Sequence, residues 1–260
     1  VLRQKFSAKA LTIAIAEDGI AYQASGQPIR MLSELDINAQ HFPDLVKTLS
    51  PHENTLKNRS INLLLSNAYF KFLVLPWQAN VYSREDWIGL ANHRFRQQFG
   101  QIADSWEIKV HLGQYGHAVV ACAMEKSVYQ VLLASEKRIG CRWSAISPVM
   151  TKLVQPAYKD NGWIMMVEPQ HLLLVEKVSG HYHRISTMTP PLGSESEFIQ
   201  QMITRRTLSL SKAYQPQSIR IYVSGSLPST EFIKSEHPAA TFVFDKRKYP
   251  SHASWLASLG

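Results

Sequence analysis

The sequence predicts a mixed α/β protein of two similar lobes, with a small α/β unit inserted in the first. Three observations carry that reading. Both halves open with an apolar strand hairpin followed by a third strand, over residues 10–32 and 163–188. Apolar residues then recur at three-to-four spacing behind S-x-x-D and S-x-x-E pairs, the signature of capped amphipathic helices. A polar, turn-rich stretch at 158–162 separates the halves. Strand runs alternating with helical patterns are the mark of layered α/β architecture.

The elements follow in order. Residues 10–16 and 20–24 flank Glu17-Asp18-Gly19, a hairpin in which Gly19 is expected to supply the positive φ of a tight turn. A third strand is expected at 29–32 and a short helix at 42–49, stopped by Pro51, with a polar loop over 52–58. Residues 60–65 and 68–75 read as a strand pair about Ser66-Asn67, ended by Pro76, which has no amide for a sheet ladder. Ser83 and Asp86 open a helix carrying Trp87, Leu90, Ala91, Phe95 and Phe99, and Gly100 ends it. Strands at 106–112 and 118–123, a helix at 125–139 closed by Gly140 and a strand at 143–146 complete the first lobe, with the type of 149–154 left open. In the second lobe, strands at 163–167 and 171–178 flank Glu168-Pro169-Gln170, and a third follows at 181–188. A helix behind Ser194 and Glu197, a strand at 218–223 ending in Ser224-Gly225-Ser226, a short helix at 230–235, a strand at 241–244 and a docking apolar tail at 255–259 follow. The expected division is a lobe at 1–160, with its inserted unit at about 60–140, and a lobe at 161–260.

Composition narrows the function. The chain has 260 residues, 45% hydrophobic and 18% charged, which is globular composition. The formal charge is +8, but the basic residues are scattered; the densest runs, Arg205-Arg206 and Lys246-Arg247-Lys248, read as solvated surface, and no nucleic-acid partner is expected. Cys122 and Cys141 are the only cysteines and sit in apolar stretches, as free thiols of a reducing compartment would. No run approaches the ~18 apolar residues of a membrane span and no secretory leader is recognisable, so a cytoplasmic protein is expected, with any membrane contact peripheral or through a partner.

Motifs for chemistry are missing. The sequence holds no Walker phosphate loop, no G-x-G-x-x-G, no G-x-S-x-G, no H-E-x-x-H and no CxxC. No catalytic residue is therefore assigned. His181-x-His183 puts two imidazoles on one strand face without a third ligand, so no metal site is assigned either. Glu17-Asp18 has a conformational reason to stand at a turn, and Ser224-Gly225-Ser226 is a small-residue turn that lets backbone amides approach a phosphate. Tyr69, Phe70, Trp77 and Trp87 belong to a dense aromatic run, mostly core, from which a peptide-accepting groove is one reading.

Taken with Leu65-Ser66-Asn67, Leu75-Pro76-Trp77, Glu85-Asp86-Trp87, Arg94-Phe95, Phe99-Gly100 and Trp106, the lobe order resembles the degenerate actin-like scaffold proteins of type IV pilus and type II secretion assembly platforms, the group of PilM, BfpC and the GspL cytoplasmic domain. The resemblance implies a two-lobed degenerate actin-like ATPase (ribonuclease H-like) fold. In that fold an acidic residue and a glycine at the first turn of each lobe face the nucleotide's phosphates. Matched by position, these are Asp18 and Gly19 in the first lobe; the second lobe has Glu168-Pro169-Gln170 and no glycine, while Ser224, Gly225 and Ser226 stand at the adenosine turn. The resemblance thus implies a degenerate nucleotide site: no cofactor is expected, with ATP left open and its hydrolysis not expected. It further implies a non-catalytic cytosolic scaffold that docks the short N-terminal tail of an inner-membrane pilus or secretion protein and meets the assembly ATPase; the aromatic run, read by itself, offers Tyr69, Phe70, Trp77 and Trp87 as the residues for that docking. The alternative is an active ATPase or kinase of the same fold.

Overall fold

The computed structural model describes residues 11–24, 27–34, 42, 44–154, 161–191, 193–209, 216–223, 240–242 and 251–259. Ser224, Gly225 and Ser226, the helix expected at 230–235 and the Lys246-Arg247-Lys248 run lie outside the described residues, as does most of the turn-rich stretch expected to divide the lobes.

Two five-stranded sheets with one shared plan form the frame. In the first lobe β1 (Leu11–Ala16), β2 (Gly19–Gln23) and β3 (Arg30–Glu34) run antiparallel. β1 then pairs in parallel with β4 (Ser60–Leu65), and β4 in parallel with β8 (Arg142–Pro148), giving the order β3-β2-β1-β4-β8. The second lobe repeats this with β9 (Gly162–Glu168), β10 (His171–Val178), β11 (His181–Met188), β12 (Ser218–Val223) and β13 (Ala240–Phe242), ordered β11-β10-β9-β12-β13. β9 pairs antiparallel with β10 and parallel with β12. Central strands of such sheets are covered on both faces and read as unbroken apolar runs. β1 is buried along its whole length, and β9 from Trp163 to Glu168.

Between β4 and β8 the chain leaves the first sheet to build the inserted unit. There β5 (Lys71–Leu75), β6 (Trp106–His111) and β7 (Val119–Glu125) form an antiparallel sheet ordered β5-β7-β6. Its helix α3 (Arg84–Phe99) starts at a reciprocal capping box: Asp86 N–H donates to Ser83 Oγ at 3.0 Å, and Ser83 N–H to Asp86 Oδ2 at 3.1 Å. Trp87, Ala91 and Phe95 fall on one face and pack against Trp106, Ile108 and Val110. Helix α4 (Lys126–Ile139) returns to the first lobe, where Leu132 and Ile139 join its core, and Gly140 ends it in the left-handed conformation.

Several expectations need correction. β4 and β5 are not a hairpin: a 3-10 turn at Asn67–Tyr69 sends them into different sheets, β4 as a central strand of the first lobe and β5 into the sheet of the inserted unit. The helix expected at 42–49 is α1 (Leu45–Leu49), and a 3-10 turn at Ser50–His52 leads into α2 (Glu53–Leu56) where a loop was expected, because Leu56 turns inward. The open segment at 149–154 holds the short helix α5 (Met150–Leu153). Gly19 lacks a positive φ. A Cβ there would stand 2.6 Å from Ser33 O and 2.8 Å from Met31 Cε, so glycine is required by the close approach of β3.

The lobes share a core. Ile164, Met166, Leu173 and Val175 of the second sheet join one apolar cluster with β1, β4 and the final helix. That helix, α7 (His252–Ser258), packs Ala253, Trp255, Leu256 and Ala257 into the first-lobe core, so the tail of the chain belongs structurally to the first lobe. The far face of the second sheet is covered by α6 (Glu195–Ser209) through Ile199 and Ile203. Arg206 of the basic pair is drawn into this layer by buried Glu176, with Nη2 to Oε1 at 2.9 Å, and is not plain solvated surface.

Gly19→Ala is expected to lower stability by about 1–3 kcal/mol, the usual cost of forcing atoms into filled space. A urea unfolding midpoint that does not move would show that β3 yields freely.

Candidate functional site

The two sheets present corresponding hairpin turns to each other across the cleft between the lobes. The first is Glu17-Asp18 between β1 and β2; the second is Pro169-Gln170 between β9 and β10, flanked by Glu168 and His171. α7 starts between them. Asp18 accepts hydrogen bonds from the backbone N–H of His252 (2.5 Å) and of Ala253 (3.0 Å), satisfying the first amides of a helix that has no carbonyl to give them. Ser251 supplies the side-chain cap, accepting from Ser254 N–H at 3.0 Å.

Glu168 is fully withdrawn from solvent and works in two directions. Both its oxygens accept from Asn67 N–H, at 3.2 and 3.1 Å, and its Oε1 lies 3.1 Å from His252 Nε2, an ion-pair contact rather than an aligned hydrogen bond. Burial opposes its charge, yet the contacts to His252, His171 and the Asn67 amide outweigh that and hold its pKa below the usual carboxylate value. His171 beside it is pushed down by burial, and its Nε2 has no hydrogen-bond partner.

Asn67 is the joint of this arrangement. It is buried at the end of β4, and its Oδ1 accepts from Met150 N–H at 3.0 Å, where α5 leads away from the first lobe. Its Nδ2 lies 3.3 Å from Met166 Sδ. Sequence reading missed it: an Asn after a strand looks like turn chemistry, and only the fold brings residues 67, 150 and 168 together.

Glu17 is the unusual acid. Burial first, then the charges of Glu168 and Asp18, raise its pKa to about 7 against the opposing influence of His252, and its Oε2 is buried without a partner. Tyr69 stands over the same turn, with its hydroxyl 3.5 Å from Ala16 O; burial and the three carboxylates raise its pKa further above the ordinary phenol value.

Of the proposed docking aromatics, Phe70 is 5% exposed and Trp87 2%, so both are core and not a docking face: Phe70 packs on Phe72, and Trp87 holds α3 to its sheet. Tyr69 faces the cleft and Phe42, with ring centroids 5.1 Å apart. Trp77 is half-buried between Trp87 and Tyr115, and Tyr115 and Tyr82 are the exposed aromatics of the inserted unit. His181 stacks on His117 of the β6–β7 loop, with centroids 3.4 Å apart and planes 11° from parallel. Among the described residues no three His, Cys, Asp or Glu side chains are placed to hold a metal ion. Cys122 and Cys141 are free and half-buried, and burial raises both thiols to about 11. No helix among the described residues is long and apolar enough to cross a membrane.

No protein-family model matches the sequence, and no curated protein does. Solved structures match over nearly the whole chain. A Bacteroides thetaiotaomicron protein of unknown function, described as having an actin-like ATPase fold, superposes with a TM-score of 0.58 at 12% identity, covering 97% of this chain and 96% of that one. The chain has the actin-like fold. The same likeness extends to the PilM-PilN type IV pilus biogenesis complex, with a TM-score of 0.63 at 10% identity over 97% and 94% of the two chains. It extends also to the cytoplasmic domain of EpsL, an inner-membrane component of the Vibrio cholerae type II secretion system, with a TM-score of 0.55 at 9% identity over 90% and 84%. The resemblance drawn from the sequence therefore meets its own group among the structural neighbours. The acids of the paired turns bind the chain itself, Asp18 the amides of His252 and Ala253 and Glu168 the amide of Asn67.

Asn67→Ala leaves the buried Met150 amide without an acceptor and is expected to cost about 1–3 kcal/mol. The check is urea unfolding at constant m; an unaltered midpoint would remove Asn67 from the joint.

Proposed function

We propose that the chain is a non-catalytic scaffold of a type IV pilus or type II secretion assembly machine. It sits on the cytoplasmic side of the inner membrane, docks the short N-terminal tail of an inner-membrane component and contacts the assembly ATPase. The observation that carries this reading is the use of the two phosphate-facing turns. Asp18 caps α7, Glu168 holds the Asn67 amide and His252, and Pro169 has no N–H to offer an anion. A triphosphate entering there would have to displace the bonds that Asp18 and Glu168 already make and would meet their two carboxylates, a repulsive field for an anion. The likeness to the PilM-PilN complex and to the EpsL cytoplasmic domain supports the choice of machine and of membrane side.

For the docking face we favour Trp77 with Tyr115, which packs edge-on against it, and the exposed Tyr82 of the same inserted unit. Aromatic anchors at a rim of this kind suit a short peptide better than a flat protein surface. If nucleotide binds at all, Asp18, Gly19 and the Ser224-Gly225-Ser226 turn remain the residues for it, without turnover.

The test pairs two measurements. Calorimetry and phosphate release with Mg-ATP are expected to show no turnover. A pull-down from an inner-membrane fraction is expected to retain a pilus or secretion component whose synthetic N-terminal peptide binds the wild type, and binds Trp77→Ala at least ten-fold more weakly. Turnover lost in Asp18→Ala would replace this reading with that of an active ATPase.

A further inference from the structure

We propose that Glu17 is the proton-sensitive element of a clasp that closes the two lobes onto the C-terminal helix. This goes beyond the scaffold reading and stands without it, since it concerns the isolated chain.

The geometry is a convergence of three elements on the start of α7. From the first lobe, Asp18 takes the amides of His252 and Ala253. From the second lobe, Glu168 reaches the imidazole of His252 and the amide of Asn67. α7 itself is seated in the first-lobe core by Trp255 and Leu256, and the His252 ring stacks near Trp255 with centroids 5.8 Å apart. A seven-residue helix has too few internal bonds to hold itself together, so its order depends on these contacts.

Glu17 stands beside all of them. It is half-buried, and its Oε2 is buried without a hydrogen-bond partner, a position that costs a carboxylate more than a neutral carboxyl. The groups that face it are Asp18 on its own turn, Glu168 from the β9–β10 turn, His252 from α7 and Tyr69 from the 3-10 turn after β4; His171 and, through it, Lys71 complete the surroundings by acting on Glu168 and His252. Glu168 and Asp18 repel a negative charge on Glu17, and His252 attracts it. Ionised, Glu17 would set a third carboxylate against the two that hold α7 and compete with Glu168 for His252.

The direction of the pH effect follows from linkage. The folded protein keeps the Glu17 proton to about pH 7, well above the ordinary glutamate value of 4.5. The closed arrangement therefore binds this proton more tightly than an opened one. It is favoured at acid pH, progressively disfavoured as pH rises from about 5, and bears the full cost above about 7, the reverse of an ordinary salt-bridged acid.

The experiment is hydrogen–deuterium exchange on the full chain from pH 5.5 to 8.5, expressed as protection factors so that intrinsic exchange cancels. Protection of 252–258 is expected to fall at least ten-fold, most of it between pH 5.5 and about 7 with little further change above, while α6, on the far face of the second sheet, keeps its protection. In Glu17→Gln the protection of 252–258 is expected to stay at its acid value throughout. A wild-type α7 whose protection does not change with pH overturns the proposal without reference to any variant. So does an equal fall in Glu17→Gln, which would place the titration elsewhere.

Discussion

Glu168 reaches out of the second lobe to accept the backbone amide of Asn67, the residue at which β4 gives way to the inserted unit, and its other contact is the imidazole that opens the final helix. A buried carboxylate tolerates such a position only with its lone pairs occupied. Asn67 must therefore present its N–H to the cleft, which explains the 3-10 turn at that point in place of a hairpin. Through the Asn67 side chain the same joint fixes Met150 and the start of α5, and through His252 it fixes α7. The lobes are thus tied by polar bonds at one end of an interface whose remainder is apolar, the cluster shared by Ile13, Leu64, Met166 and Leu173.

The duplicated sheet explains why acids meet at this place. Two lobes of one topology, facing each other, bring equivalent β-turns and their acids into one encounter. Here the chain resolves it internally, with two backbone amides for Asp18 and one amide and an imidazole for Glu168. Glu17 is the acid left over. That leaves a structure in which closure, ordering of the C-terminal helix and the protonation of one carboxyl depend on a single cluster.

Much of this architecture was legible beforehand, for reasons that are local. The capping box of Ser83 and Asp86, the apolar stripe behind it and the glycine that ends α3 are encoded within twenty residues. So are the hairpins of both lobes, whose strands are apolar on both faces because helices and the opposite lobe cover them. Errors came where a local pattern has two meanings. Ser66-Asn67 between apolar runs reads as a hairpin, and Gly19 after Asp18 reads as a turn glycine; the sheet partners of β4 and the approach of Ser33 decide otherwise. Phe70 and Trp87 carry the composition of an interface but are consumed by the cores they complete.

Periodicity, caps and turn residues act over one or two turns of chain, so the sequence by itself determined the longer strands and helices and their order, the two-lobed plan and the lack of any recognised catalytic motif, but not the short turns and helices at 50–56, 67–69 and 150–153. The site was decided by tertiary structure alone. Asn67 meets Glu168 across 101 positions and His252 amide meets Asp18 across 234. No pattern of spacing marks such pairs, because the electrostatics of a buried carboxyl depends on which atoms surround it in space, not on which residues adjoin it in the chain.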